Sequence, residues 1–208
     1  MSSKKTRSLD LAFKELDKST WSDFDKLFSK QKGVKGFGPG GCWCIAYHRN
    51  HSHEQEMKIH GLKPDQMFEH NKKQKKELVA QGRSHGIIVY ADGQPVGWCQ
   101  YGMKDELPRI DGGRFYKRLA LKEKKRLWRI TCFVVDRDHR KRGIASSALK
   151  AVLASIKRQG GGIVEAYPVE SVKGASWLWS GTISMFEREG FKTVAQLGAS
   201  LIVRKTVR

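Results

Sequence analysis

Residues 128–157 read WRITCFVVDRDHRKRGIASSALKAVLASIK, and they restrict the possible fold more than any other stretch of the chain. Residues 128–135 are dense in β-branched and aromatic side chains, and too short and apolar for a surface helix, which predicts a buried strand. From Gly143 onward, Ala145, Leu149, Val152 and Ile156 recur at helical spacing and predict a helix over 143–157 with one core-facing stripe. Between the two lies Arg140-Lys141-Arg142-Gly143-Ile144-Ala145. A helix N-terminus offers unpaired backbone N–H groups and a partial positive charge, which suits a phosphate. Gly143 lets the backbone come close to such a group, and three cations add charge without imposing one rigid geometry. The ligand this predicts is a phosphorylated cofactor. A basic turn that is merely solvated is the competing reading, and the turn alone does not separate the two.

The context does. Arg140-x-x-Gly143-x-Ala145, set between an apolar strand and a helix, resembles the acetyl-CoA pyrophosphate loop of the GNAT superfamily of N-acetyltransferases, Gln/Arg-x-x-Gly-x-Gly/Ala. Upstream, residues 86–90 and 94–101 flank Ala91-Asp92-Gly93, a hairpin signal. Downstream come Gly160-Gly161-Gly162 as a left-handed helix stop, a strand over 163–169 and a connection over 171–180 holding Trp177 and Trp179. A short helix over 183–189, capped by Thr182, and a last strand over 194–203 follow. This order resembles a GNAT domain over roughly 86–203. It implies an α/β (α+β) fold with a central, mixed, mostly antiparallel sheet flanked by helices.

The 208 residues suit one domain with a sizeable core, here a basic arm over 1–8 followed by a single domain over 9–208. No run approaches the ~18 apolar residues of a membrane helix, and MSSKKTRSLD has no apolar core after it, so neither membrane nor secretion is expected. Cys42, Cys44, Cys99 and Cys132 are few for a disulfide scaffold, which points to a reducing cytoplasm. Residues 9–17 read as a strand or a short helix, and 21–30 as a helix capped by Ser19 or Thr20. The glycine-rich loop 33–41 lacks a Gly-Lys-Ser/Thr ending and is no nucleotide P-loop. In the apolar run 42–48, Cys42 and Cys44, followed by His48, His51, His53 and His60, raise a zinc reading. The Cys-x-Cys spacing and the lack of a second cysteine pair weigh against it, in favour of core packing or pocket lining. Gly-Gly-Cys-Trp-Cys also resembles a segment of some GNAT proteins, which would place it near the acceptor. Residues 69–81 read as a lysine-dense surface helix ending at Gly82, and 105–127 as basic and irregular, with Tyr116 and Leu119 able to pack.

Forty Lys and Arg against 21 Asp and Glu leave a formal charge of +19. Such a field attracts anions: nucleic acid, ribosomes, acidic proteins or an anionic cofactor. A basic nucleic-acid or ribosome-associated protein on a GNAT scaffold is therefore the alternative function, with Arg114-Phe115-Tyr116-Lys117-Arg118 as its best support. A free polyamine would be repelled at long range and would need a local acidic pocket.

The resemblance implies an acetyl-CoA-dependent N-acetyltransferase in which a primary amine attacks the thioester directly, in a ternary complex. By position, main-chain groups of Phe133, Val134 and Val135 would bind the pantetheine arm and the thioester carbonyl, and an N–H there would stabilise the oxyanion. Arg140, Lys141, Arg142, Gly143, Ile144 and Ala145 would hold the pyrophosphate. Glu165, in Val164-Glu165-Ala166, resembles the glutamate base of ribosomal-protein N-terminal acetyltransferases, with Glu170 and Asp136 in reserve. The family often carries a tyrosine acid four residues before the Gly of its Gly-Phe ending. Phe186 stands there, leaving Tyr167, Ser184 or water as substitutes.

Overall fold

The apolar runs of the chain assemble into one sheet of seven strands, covered on both faces. A computed structural model describes residues 9–30, 41–119, 121, 123, 125–169 and 179–208. The strands are β1 (Leu11–Glu15), β2 (His85–Ala91), β3 (Gln94–Met103), β4 (Leu127–Val135), β5 (Gly162–Ala166), β6 (Lys192–Leu197) and β7 (Ser200–Val207). They lie in the order β1-β2-β3-β4-β5-β7-β6. Every neighbouring pair is antiparallel except β4 and β5, which run parallel. A parallel pair needs a crossover, and α6 (Ile144–Arg158) supplies it.

Alternation along the strands sends side chains to two cores. On one face Val89, Cys99, Ile130 and Phe133 meet Leu149, Val152 and Ile156 of α6, and Phe186 of α7 (Ile183–Arg188). On the other, Ile88, Tyr90, Trp98 and Val134 meet Phe24, Leu27 and Phe28 of α1 (Trp21–Ser29), and Phe68 and Val79 of α3 (Met67–Ala80). No helix among the described residues is long and apolar enough to cross a membrane.

The predicted hairpin, central strand and crossover helix are all present, and the Thr182 hydroxyl does accept from Met185 N–H at 3.3 Å. Elsewhere the expectations need correction. Of the two readings left open for residues 9–17, the strand is the one present, paired with β2. The strand expected over 163–169 ends at Ala166, since Pro168 has no N–H to continue a ladder. The single strand expected over 194–203 is two, because Gly198 (φ 61°) reverses the chain between β6 and β7. The irregular span 105–127 holds two short helices, α4 (Arg109–Gly112) and α5 (Arg114–Arg118). An unforeseen α2 (His53–His60) is fixed by a Ser52/Gln55 capping box and by Gly61 at its end. The lysine-dense α3 buries Met67, Phe68, Asn71, Lys75 and Val79 along one flank. The basic arm 1–8, loop residues 33–40, Glu170 and Trp177 lie outside the described residues.

Candidate active site

Strand β4 carries one residue too many for its partner. Gln100 pairs with Cys132 while Tyr101 pairs with Ile130, so Thr131 forms a bulge. On its other side β4 follows β5 from Leu127↔Ile163 to Ile130↔Ala166, and there the pairing stops. Strand β5 itself ends at Ala166, while β4 runs on to Val135. Residues 131–135 keep β3 on one side, and among the described residues no strand pairs with them on the other. Phe133, Val134 and Val135 therefore stand where a ligand can reach main chain, with the Phe133 and Val134 side chains turned into opposite cores.

The strand then runs through Asp136, whose Oδ1 accepts from Asp138 N–H at 3.0 Å, into the basic turn. Burial works against the Asp136 carboxylate, but the Asp138 N–H and His139 outweigh it and hold its pKa below the usual value. Both of its oxygens are engaged, Oδ2 by Lys30 at 3.5 Å, so this reserve base is a capping group here. Arg140, Lys141 and Arg142 are exposed, and Gly143 adopts φ 80°, ψ 0° as the residue before α6. No side chain caps the helix, and a Cβ on Gly143 would meet nothing within 4 Å. Just behind, a Cβ on Gly97 would stand 2.5 Å from Ile144 Cγ2. The helix start is thus pressed onto β3 and open outward, with cations around its free N–H groups. These features fit a diphosphate.

Beyond the C-terminal end of β5 opens a cleft of about 300 Å³. Its walls include Tyr47, Arg109, Phe115, Tyr116, Tyr167 and Trp179. Arg109 donates to the His51 carbonyl at 2.5 Å. Burial pushes Tyr47 up to about 12, and burial together with the nearby Glu165 charge pushes Tyr116 and Tyr167 upward too, so these phenols stay protonated. Glu165 lies behind this wall and is fully buried. Its Oε1 accepts from Tyr116 at 2.8 Å and Tyr167 at 2.5 Å, and its Oε2 accepts from Arg204 Nε at 2.7 Å. Arg129 approaches Oε1 to 3.9 Å and spends its other nitrogens on Asp111, at 2.7 and 2.9 Å. Glu165 thus communicates with the cleft through two tyrosine hydroxyls and does not line it.

Phe186 is buried against Phe133 and Phe191, with ring centroids at 6.0 and 5.1 Å, and has no proton to offer. Ser184 is exposed and stands 3.4 Å from the Thr182 hydroxyl. Cys42 and Cys44 occupy a turn, with Trp43 and Cys44 at φ 47° and 46°, instead of a strand. The Cys44 thiol points at Cys132 Sγ, 3.0 Å away, and all four cysteines are free. Both ring nitrogens of His48 are engaged within the protein. Its Nδ1 meets the Glu106 carbonyl at 2.8 Å and its Nε2 meets Gln100 at 2.8 Å, while burial drives its pKa down to about 2.

The Acetyltransferase (GNAT) family pattern matches residues 44–191, more than half of the chain. The chain belongs to the GNAT acetyltransferase family. Among curated proteins no sequence matches it. Solved structures show the same fold at low identity. A GNAT-family protein from Desulfovibrio desulfuricans is 15% identical, with TM-score 0.54 over 96% of this chain and 100% of its own. The PaiA N-acetyltransferase of Thermoplasma acidophilum, solved with coenzyme A, is 11% identical, with TM-score 0.52 over 95% and 99%. An N-acetyltransferase from Staphylococcus aureus is 12% identical, with TM-score 0.52 over 96% and 99%.

Within this GNAT site, sequence reasoning missed Arg129, Asp111 and Arg204, and it expected Tyr116 only to pack. One signal was available: Arg129 is the lone charge inside WRITCFVV, and a buried guanidinium demands a partner. That its partners are Asp111 in 105–127 and Glu165 on β5 is a tertiary fact with no local mark.

Proposed function

We propose that this GNAT enzyme transfers an acetyl group from acetyl-CoA directly to a primary amine bound in the aromatic cleft beyond β5. The observation that carries this reading is the bulge at Thr131, where β4 loses its pairing with β5, beside the open, cation-flanked start of α6. When bound, acetyl-CoA supplies an activated thioester. The N–H groups at the start of α6, with Arg140, Lys141 and Arg142, hold its diphosphate. Main chain of Phe133, Val134 and Val135 aligns the pantetheine arm and polarises the carbonyl. The structure of the Thermoplasma relative with coenzyme A supports the assignment.

An amine arrives as ammonium and must lose a proton. Glu165 is the acceptor we assign, acting through Tyr116 and Tyr167: either hydroxyl takes the amine's proton as it passes its own to Oε1. A thiolate of pKa ~8.5 leaves without an enzyme acid, consistent with Phe186. The named lining side chains are aromatic rings and one arginine, with no carboxylate among them, and the whole chain carries +19. Both favour an acceptor with an apolar or aromatic body and a single amine over a polyamine. Residues 9–208 would form one domain behind the arm 1–8, and the four free thiols fit a reducing cytoplasm.

Calorimetry with acetyl-CoA tests the cofactor site. Tight binding by the wild type, weakened at least ~100-fold in Gly143→Glu by negative charge in the turn, is expected. A folded wild type that binds no acetyl-CoA overturns the reading. Thiol release with aromatic monoamines, amino-terminal peptides and spermidine then ranks acceptors, with spermidine last.

A further inference from the structure

Three histidines converge on one buried carboxylate away from the acyl-transfer site. Glu56, on α2, is 1% exposed. Its Oε1 is approached by His70 Nε2 at 2.6 Å, Gln74 Nε2 at 2.7 Å, Arg49 Nε at 3.4 Å and His60 Nε2 at 3.5 Å. Its Oε2 is met by His51 Nε2. His70 and Gln74 occupy the two lone pairs of Oε1, while Arg49 and His60 stand at ion-pair distance beyond them. With His70 donating to Oε1, the His60 and His70 rings lie with centroids 4.9 Å apart. If each ring instead presents its Nε2 lone pair, three electron-pair donors face one point, and their ligand atoms all lie within 4.8 Å of one another.

We propose that Glu56, His60 and His70 bind a divalent transition-metal ion, with zinc as the best fit. Two imidazoles and a carboxylate are a zinc donor set, and without a thiolate they do not select a softer ion. Ligand atoms around a tetrahedral zinc stand roughly 3.4 Å apart, which these side chains reach by small rotamer adjustments. His60 is half-exposed, so water can fill the fourth position. His51 then serves as an outer partner that orients the carboxylate through its free oxygen. Besides its ion pair with Glu56, Arg49 donates to Asn71 at 2.6 Å and to Gln74 at 2.9 and 2.6 Å, which hold it in place when the carboxylate turns to an ion. The ion would pin α2 to the start of α3. It would also steady His51, whose carbonyl holds Arg109 in the wall of the acceptor cleft. The role is structural support of that cleft, and it stands independently of the acetyl-transfer proposal.

The test is zinc binding by the full chain after chelator stripping, measured as bound zinc per chain by elemental analysis at fixed micromolar free zinc. The wild type is expected to take up about one equivalent and to melt at higher temperature with zinc than without. His60→Ala/His70→Ala should lose at least tenfold in affinity and lose the thermal shift, whereas Cys42→Ser/Cys44→Ser should keep both. His60→Gln alone, at a solvent-facing side chain, leaves folding intact and should still weaken zinc tenfold or more. A stripped wild type that takes up no zinc overturns the site. So does zinc that survives the histidine changes, above all if it is lost in the cysteine variant, which would move the metal to the thiol cluster.

Discussion

Glu165 joins its proposed role as proton acceptor to a structural one, and mutations can pull the two apart. Its carboxylate offsets two buried guanidiniums, Arg129 and Arg204, and the same oxygen that Arg129 approaches accepts both tyrosine hydroxyls. Glu165→Gln should therefore lower kcat by ~10²–10³ and also destabilise the fold by roughly 3–5 kcal/mol, because a buried ion pair broken on one side leaves the other charge uncompensated. Tyr116→Phe/Tyr167→Phe keeps the ion pairs but takes both hydroxyl hydrogen bonds from Oε1 along with the proton path. It should cost roughly 1.5–3 kcal/mol for each lost bond to the charged group, and, beyond that, kcat should fall and the amine-deprotonation limb of the pH–rate profile disappear. An unchanged profile in the double phenylalanine variant would sink the relay. Lys75 makes a second prediction. It is fully buried above Phe24 and Trp98, 5.8 and 5.5 Å from the ring centroids, and burial lowers its pKa to about 8. The native protein releases this proton near pH 8, whereas the unfolded chain keeps it until near 10.4. Between those values the unfolded state binds more protons, so stability rises with pH. Measured against Lys75→Met, the wild type should gain roughly 2 kcal/mol between pH 8 and 9.5. A flat difference would mean that the ammonium is fully compensated in the fold.

Among the elements, α6 shows how the proposed cofactor site depends on packing behind it. Ile144 opens the helix and lies against Gly97, where a side chain would collide with its γ2 methyl at 2.5 Å. Gly97→Ala should cost ~1–3 kcal/mol by overpacking and raise KM for acetyl-CoA, because the helix start that presents the N–H groups must shift. Adding Ile144→Leu, which removes the γ2 branch, should recover part of both. A Gly97→Ala enzyme with unchanged KM and stability would show that the turn is set by its own backbone alone. The same element explains what could be read in advance. Strand, turn and helix over 128–157 were legible because each depends on neighbours in sequence: branched residues, a glycine able to take φ 80°, a stripe at helical spacing. The Asp-Gly hairpin was legible for the same reason. Helix α2 was not, because a capping box and one buried carboxylate hold it in place of an apolar stripe. The β6–β7 reversal hid in Gly198-Ala199, between two runs that each alternate well enough to join as one strand. The tyrosine–glutamate–arginine network was invisible because its members come from β4, α5, β5 and β7.

For the whole molecule the governing quantity is charge. With +19 spread over 208 residues, the protein's field acts on any ion before contact, and salt screens it, with a Debye length of ~10 Å at 0.1 M and ~3 Å at 1 M. A gel shift with duplex RNA should therefore appear at low salt and vanish by ~0.2 M; a complex that persists would assign a nucleic-acid partner in its own right. The field also separates the two substrates of the proposed reaction by sign. Acetyl-CoA is polyanionic and is drawn in, so raising KCl from 0.05 to 0.5 M should raise its KM roughly 3–10-fold with little change in kcat. A polycationic amine is pushed away, and the same salt should lower its KM. A neutral or anionic monoamine should show no such gain. Opposite slopes for cofactor and spermidine would tie the effect to the field itself, since loss of folded enzyme at high salt moves both constants together with kcat. Parallel slopes would instead localise the cofactor's attraction to contacts at Arg140, Lys141 and Arg142. In that case neutralising those three side chains, and not distant lysines such as Lys73 and Lys76, should flatten the dependence.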